Sequence, residues 1–599
     1  MKEWLFLKQI FKLKNNDNEF SFLCSLLIST LLISSQVFPQ TFTRITSGDV
    51  VSNGGNSAGS NWIDINNDGW LDLFVANGND LSQANFLYLG SSGGEFTRIT
   101  SGEIVTDVAR SIGATWGDYD NDGDPDVFVT NRGNQNNNLY ENNGDGNFTK
   151  ITADTIVNDG GDSNISHWLD IDNDGDLDLF VLNFNQVNFL YRNDNTAFTK
   201  ITTGNIVTDI SPSICSIWGD YNNDSYLDLF VANGGSQNNF LYTNNGDLTF
   251  SKFTFSDGNS SLGGSWGDYN NDGYLDLFVA NFLDQNNILY RNDGPPNFTF
   301  TRITSGDIVN DGGRSVGTAW GDFDNDGDLD LYAGNHTQNN FYYSNNNDGS
   351  FSKITSGDFV SNSGNTFGVS ISDFNGDGGL DIYATNISNQ NNQLYQNDGN
   401  AGNWIAIKCI GVTSSKDAIG AKVAVKASIN GIDLWQTREI SAQHGYNSQN
   451  GFAAHFGVAN ASSIDSLVVQ WPSGAVDMHA SLAINEFITV MEGGVITGIS
   501  DQEDFISQGF SLHQNFPNPF NPTTDIRFRI ADFEFVELKI FDINGREVRT
   551  LLAENKAAGL YTVTWDGVDQ FGNSVSSGVY LYRIETGGLS TTKKMILIR

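Results

Sequence analysis

Between residues 41 and 400 the apolar positions fall in short runs cut by tight polar turns, and the runs come in sets of four. One set is "SIGATWGD", "DVFVTN", "NNLYEN" and "FTKIT", between Ser111 and Thr152, with turns such as "NNGDG" between the runs. Each run is short for a helix and rich in β-branched and aromatic residues, which suit a pleated, half-buried surface. Asn and Gly at the turns supply the backbone conformations that hairpins need. The set recurs seven times at intervals of about 50 residues. A single four-stranded sheet cannot bury both faces, whereas a closed ring of such sheets can. The pattern predicts an all-β chain that opens with a seven-bladed β-propeller over residues 41–400.

Three signatures mark the sets. An acidic run, D-x-[DN]-x-D-[GS]-x-x-D, starts at Asp64, Asp118, Asp170, Asp220, Asp268, Asp322 and Asp373. A second, Q-x-N-x-x-Y, ends at Tyr88, Tyr140, Tyr191, Tyr242, Tyr290, Tyr343 and Tyr395. A third, F-[TS]-[KR]-[IF]-T, starts at Phe42, Phe96, Phe148, Phe198, Phe250, Phe300 and Phe351. The Phe42 copy precedes every acidic run, and no copy follows Tyr395. The seventh blade is therefore short of its outer strand, and residues 42–46 are expected to supply it. Trp stands two places before the acidic run in six sets (Trp62, Trp116, Trp168, Trp218, Trp266 and Trp320), with Ile371 in the seventh. Packing between blades is the expected role; a carbohydrate-stacking platform is the alternative.

The period is lost after the ring. "NWIAIKCIGVTSSKDAIGAKVAVKA", from Asn403, alternates apolar and polar positions without an acidic run, and a compact β-rich domain is expected over residues 401–493. A linker at 494–508 leads to a third unit, 509–599, whose strand-like runs and entry prolines (Pro517, Pro519, Pro522) suggest a small immunoglobulin-like β-sandwich.

Charge then changes the picture. The chain has 71 acidic and 31 basic residues, a net charge of -40. Such a balance disfavours nucleic acid, whose phosphates need basic surface. Of those acids, 27 lie in the seven acidic runs. Seven in-register copies of a self-repelling segment point to metal cages. A hard cation such as calcium takes six or more oxygens. Side chains at positions 1, 3, 5 and 9 can converge, the position-7 carbonyl can add a ligand, and Gly at position 6 permits the sharp turn. The candidate ligands are Asp64, Asn66, Asp68 and Asp72 in the first loop, then Asp118, Asp120, Asp122 and Asp126 in the second. The third and fourth offer Asp170, Asp172, Asp174, Asp178 and Asp220, Asn222, Asp224, Asp228. The fifth and sixth offer Asp268, Asn270, Asp272, Asp276 and Asp322, Asp324, Asp326, Asp330. The seventh offers Asp373, Asn375, Asp377 and Asp381. Up to seven Ca2+ ions are expected, which would bring -40 to -26. Ser225 replaces the position-6 glycine, so the fourth loop is expected to be strained and weakest.

The first 40 residues carry the pattern of an export signal. Lys2, Lys8, Lys12 and Lys14 precede the apolar run "FSFLCSLLISTLLI", which is short for a membrane span and suits a signal-peptide core. No stable membrane span is expected after cleavage. Cys215 and Cys409 then remain, too far apart in sequence to suggest a disulfide framework.

Three resemblances attach to these motifs. The "WGDYDNDGDPDVFV" units resemble FG-GAP/VCBS repeats, the calcium-bearing blades of integrin-α-like propellers. Residues 403–492, with "SSKDAIGAKV", "HGYNSQN", "HFGV" and "VQWPSG", resemble the ASPIC/UnbV domain. The pairing resembles the cartilage acidic protein family and its bacterial relatives. The last 90 residues, with "NFPNPFNPTT" and "SGVYLYRIETGG", resemble a type IX secretion (Por) sorting domain. That resemblance implies a Bacteroidetes-like source, the type IX machinery as partner, export through the periplasm, and a secreted or outer-membrane surface-attached product.

The leading expectation for function is a secreted or surface calcium-binding protein that mediates adhesion or binds a glycan or protein. The alternative is a calcium-dependent polysaccharide lyase or hydrolase built on the propeller; a purely structural envelope component is a third. Repeat-breaking residues His167, His336, Arg110 and Arg314 are the candidates for catalysis, and His444 and His455 lie near "GYNSQN". No Ser/His/Asp set, H-E-x-x-H or phosphate loop appears, and the sequence leans away from an enzyme without deciding against one. In up-and-down blades the acidic loops share one face. The Q-x-N turns and the variable connections, such as "NDGGDSN" and "TDISPSI", share the other, where binding is expected.

Overall fold

Strands dominate a computed structural model of the chain, and only single helical turns interrupt them. The structure describes residues 41–498 apart from Asp80, Asp145 and 399–401, and residues 510–598 apart from 513–519, 521, 531–533, 543–545, 557–558 and 587–588. The expected export signal, most of the expected linker, and Pro517 and Pro519 lie outside the described residues. Among those described, no helix is long and apolar enough to cross a membrane.

Seven four-stranded antiparallel units form the propeller. The inner strands are Ser57–Ile63, Ser111–Gly117, Ser163–Leu169, Ser213–Gly219, Ser261–Gly267, Ser315–Gly321 and Gly364–Ser372. In the first blade Ser57–Ile63 pairs with Asp72–Asn77, then Phe86–Leu89, then Thr97–Ile99, with Trp62 opposite Leu73 and Leu73 opposite Tyr88. In the seventh, Gly364–Ser372, Asp381–Asn386 and Gln393–Asn397 come from one end of the ring and Phe42–Ile45 from the other. Phe42 pairs with Asn397 and Ile45 with Leu394. Phe42 also packs on Phe359 and Phe323, with ring centroids 4.6 and 5.9 Å away.

The tryptophans lie between blades. Phe74, Phe128, Phe180, Phe230 and Phe278, each on a second strand, meet the next blade's Trp116, Trp168, Trp218, Trp266 and Trp320 edge-on at 5.3–6.4 Å. Tyr119, Tyr221, Tyr269 and Phe374, at position 2 of their loops, stack nearly parallel on the Trp of the following blade. Each ring pair adds about 0.5–1.5 kcal/mol beyond burial. This is the packing role, not a sugar platform. The outer strands are tied by another repeated unit. Lys150, Lys200, Lys252 and Lys353, from the F-x-K-x-T signature, bridge Asp107, Asp159, Asp209 and Asp311. Those same carboxylates accept hydrogen bonds from Tyr140, Tyr191, Tyr242 and Tyr343 of the Q-x-N-x-x-Y signature.

The second domain has two four-stranded sheets. One orders Ala454–Ala459, Asn403–Ile410, Glu486–Met491 and Val495–Gly498; the other orders Ile432–Glu439, Lys422–Ile429, Ile464–Gln470 and Val476–Leu482. Ile405, Val423, Phe456, Leu467 and Trp471 form its core. The C-terminal unit is a two-sheet sandwich around Phe528, Leu538, Trp565 and Tyr582.

Candidate metal loops and the domain that caps them

Each acidic run is the turn from an inner strand to a second strand, so all seven lie on one face of the ring. The loop folds around its own carboxylates. In the second, Asp118 Oδ1 accepts from the Asp122 N–H at 3.0 Å and Oδ2 from the Gly123 N–H at 2.8 Å. Asp120 and Asp122 accept from the N–H groups two residues on. Asp126, at position 9, accepts from the Asn142 N–H at 2.8 Å, which ties the loop to the third strand. Loops one, three, four, five, six and seven repeat the position-1 pattern with Asp64, Asp170, Asp220, Asp268, Asp322 and Asp373. Ser225 stands at φ 73, and its N–H still reaches Asp220 at 2.8 Å.

Oxygens from Asp118, Asp120 and Asp122 lie within 4.8 Å of one another, as do those of Asp170, Asp172 and Asp178, and of Asp322, Asp324 and Asp326. These clusters could hold a metal ion. The electrostatics fit one. Burial, with like charges beside it, pushes the carboxyl groups of Asp72 and Asp118 up to about 8, and those of Asp126 and Asp276 to about 9. Asp178, Asp228, Asp322, Asp330 and Asp381 are raised well above the carboxylate range for the same reason. At position 9, the Oδ2 atoms of Asp72, Asp178, Asp330 and Asp381 accept from the N–H at position 2. Asp126 and Asp228 lack that bond, and their Oδ2 atoms are buried without a protein partner. A buried anionic oxygen without a partner is costly unless a cation balances it. An all-oxygen donor set suits a hard divalent ion.

One contributor lies outside the ligand pattern. Position 4 is Asn in six loops, and each of these asparagines has positive φ. Its side chain crosses to the next loop: Asn67 to Asp124, Asn121 to Asp176, Asn173 to the Ser225 carbonyl, Asn223 to that of Gly273, Asn271 to that of Gly327 and Asn325 to that of Gly378. The seventh loop carries Gly376 there, which cannot bridge to the first. The signal was present in the sequence as D-x-x-N-D, but its partner is about 50 residues away.

The second domain sits on this face. Asp417 accepts from the Asp118 N–H at 2.6 Å and Glu439 from the Asp220 N–H at 3.1 Å. Lys422 bridges Asp220 Oδ2 at 2.8 Å and bonds Asn223 Oδ1. The Gly457 N–H reaches Asp322 Oδ2 at 3.0 Å, and the His455 ring bonds the Gly378 carbonyl at 3.1 Å. From this platform the segment 440–453, which holds "HGYNSQN", enters the centre of the ring. Gln449 pairs with the first blade through its N–H to Ser60 and its carbonyl to Trp62, and its side chain accepts from the Trp116 N–H. Asn450 accepts from the Ile371 N–H, and the Cys215 thiol points at the Gly445 carbonyl. Inner-strand edges of a propeller leave backbone groups facing the channel, and this segment satisfies several of them.

The opposite face holds the Q-x-N turns. Gln83, Gln135, Gln186, Gln285, Gln338 and Gln390 accept from the backbone N–H that enters their own blade's inner strand, at 2.8–3.0 Å. Asn85, Asn137, Asn188, Asn239, Asn287, Asn340 and Asn392 accept from the N–H of Asn77, Asn131, Asn183, Asn233, Asn281, Asn335 and Asn386, towards the end of the second strand. These amides serve the turns. His167 is buried in the channel wall against Ser216, and burial pushes it down to about 3; His444 and His455 fall to about 4 for the same reason. Arg110 donates to the Asn79 carbonyl, Arg314 pairs with Asp284, and His336 packs between Phe282 and Phe367. The repeat-breaking residues are thus dispersed, not gathered into one site.

Comparison with known proteins follows the same divisions. The ASPIC and UnbV model matches residues 411–497, and a FlgD Ig-like domain model matches 523–588; the C-terminal match is thus to an Ig-like domain, not to a sorting domain. No curated protein matches the chain. Among solved structures, YCF48 bound to D1 peptide is 9% identical, with 61% of this chain and 97% of that one covered at a TM-score of 0.41. BBS1N in complex with ARL6DN is 11% identical, covering 60% and 99% at 0.40, and a protein from Lactobacillus plantarum is 12% identical, covering 51% and 85% at 0.36. The FG-GAP-like repeat model matches residues 64–129, 118–181, 170–231, 220–279, 268–333 and 322–384. These overlapping matches span more than half of the 599 residues, and the chain belongs to the FG-GAP-like repeat family.

Proposed function

We propose that this protein is an exported, calcium-loaded propeller that binds a glycan or protein ligand in adhesion or capture at the cell surface. The division of faces carries the binding reading. The metal-loop face is covered by the second domain, while the opposite face presents exposed apolar side chains on variable loops: Leu81, Val108, Ile210 and Leu283. Apolar groups on loops held by rigid strands are common in recognition surfaces. Leu283 and Asp284 both hold left-handed backbone, φ 60 and 57, strain of the kind that collects at ligand clamps.

Calcium, up to seven ions, would be held by the side chains at positions 1, 3, 5 and 9 of each loop; its role is to neutralise buried carboxylates and fix the turns. Residues 1–40 would direct export and 509–599 would act as the type IX sorting signal, a reading supported by the "NFPNPFNPTT" and "KKMILIR" motifs on a small sandwich. A glycan and protein array, probed with and without EDTA, tests the binding function. Calcium-dependent retention, lost with Val108→Asp and Ile210→Asp, is expected. Retention that survives both variants refutes the face, and absence of any ligand refutes binding. New reducing or unsaturated chain ends would establish the polysaccharide-degrading alternative instead.

A further inference from the structure

Between the metal-loop face and the second domain lies a cavity of about 850 Å³. Protein interiors pack closely, so a void of this size is not a packing defect, and it falls in the range of small-molecule sites. Its floor is propeller: the indoles of Trp218, Trp266 and Trp320 with Leu275, Leu329 and Leu380 around them. Its roof includes Ala406, Lys408 and Ile410, alternate residues of the strand Asn403–Ile410, with Phe452 and Phe487 beside them. Exposed Gly69, Gly123 and Gly376 on its border mark an opening to solvent.

The charges divide unequally. Residues 403–498 contain five cations, Lys408, Lys416, Lys422, Lys426 and Arg438. Lys422 and Lys426 do not line the cavity, and each is ion-paired, to Asp220 and Asp433. Lys408, Lys416 and Arg438 all line it, and among the described residues none has a carboxylate oxygen within 4.0 Å, although the charge of Lys408 acts on Asp64 and Asp417 and that of Arg438 on Asp268 and Asp322. The acids of the wall are held by backbone N–H groups, Asp417 and Glu439 by those of the acidic loops and Asp64, Asp118, Asp268, Asp322 and Asp373 by their own loops, and an ion in those loops would offset their charge.

We propose that this chamber binds an organic carboxylate with an apolar body. The carboxylate is taken by Lys408 and Lys416, and the body lies over the tryptophan and leucine side chains of the floor. The site is separate from the exposed face assigned to adhesion, so either assignment can fail alone.

Calorimetric titration of the full calcium-loaded chain with 1-naphthaleneacetate tests it, with the corresponding alcohol and amine as uncharged and cationic analogues. Saturable one-to-one binding is expected, about tenfold weaker for the alcohol and weaker still for the amine. Lys408→Met with Lys416→Met should weaken the carboxylate about tenfold or more. Lys426→Met, which removes the same charge from the same domain outside the chamber, should leave it unchanged. No saturable binding at millimolar carboxylate, an amine that binds as tightly, or a double variant that binds like the parent would each overturn the proposal. The analogue comparison uses the unaltered chain, so it decides the matter even if the double variant folds poorly.

Discussion

Ser225 stands where six other loops place glycine, in left-handed backbone at φ 73. A side chain there costs about 1–2 kcal/mol against the preferred region. Ser225→Gly is expected to raise the melting temperature in saturating calcium by a few degrees, less the small unfolded-state entropy that glycine restores. Gly123→Ala runs the same argument in reverse. Gly123 has φ 102 and open space where a Cβ would be, so the alanine should cost about 1 kcal/mol through backbone strain alone. The carboxylates make a second prediction. Asp118, Asp126 and Asp276 titrate in the folded metal-free chain at about 8, 9 and 9, against 3.8 ordinarily, because they are buried together. At these groups the folded state then binds more protons than the unfolded one, so their contribution to stability is complete below 3.8 and is lost as pH rises towards 9. In EDTA the melting temperature should fall from pH 5 to pH 8, by roughly 5 °C or more, and calcium should remove most of that slope. A flat profile in EDTA would contradict the burial assigned to these groups. At this scale the acidic loop and its turn geometry were legible because each motif fits within nine residues. The position-4 asparagines were not, because their partners belong to the next blade and no local period connects them.

Elements close the ring in two ways, and only one is written locally in the chain. The surplus F-x-x-x-T copy at Phe42 precedes the first loop, and Phe42–Ile45 forms the outer edge of the seventh blade. Deleting residues 41–46 should lower the melting temperature sharply, since it exposes the edge of Gln393–Asn397 and empties the contact of Phe42 with Phe359; an unchanged midpoint would show that the ring does not need this closure. The second device is the segment 440–453. Its sequence, rich in polar residues, suggests a loop, and nothing in it says that the loop is buried: Asn447, Ser448 and Gln449 are fully enclosed. Ser448 and Gln449 find partners in the Ser60, Trp62 and Trp116 backbone of the channel, whereas the Asn447 side-chain amide is buried without a protein partner. The fit depends on a glycine. A Cβ on Gly59 would come within 1.9 Å of the Asn447 carbonyl oxygen. Gly59→Ala should therefore expel the segment while the blades remain, seen as fast amide exchange and new proteolytic cuts confined to 440–453.

For the whole molecule, the repeat gave the propeller and the break in period gave three units, but the contact between the first two was hidden, since it joins residues from 77 to more than 300 positions apart. That contact would couple the second domain to any ion the loops hold. The second domain bonds backbone and carboxylate groups of the loops themselves, at Asp118, Asp220 and Asp322. Each occupied loop could add roughly 1–2 kcal/mol at millimolar calcium, where extracellular calcium sites commonly bind. A loop that loses its ion carries uncompensated charge beneath Asp417 and Glu439, which are acidic too, so repulsion spreads to the cap. Chelation should accordingly destabilise the propeller and the second domain in one transition. The C-terminal sandwich, with its own core, should melt separately and without regard to calcium. Calorimetry of the full chain checks this: EDTA is expected to move the larger transition down and leave the smaller one in place, with calcium restoring it better than magnesium, whose smaller octahedral shell suits these loops less well. If the second domain kept its own unshifted transition in EDTA, the loops and the cap would be energetically independent, and the hydrogen bonds between them would be contacts without coupling.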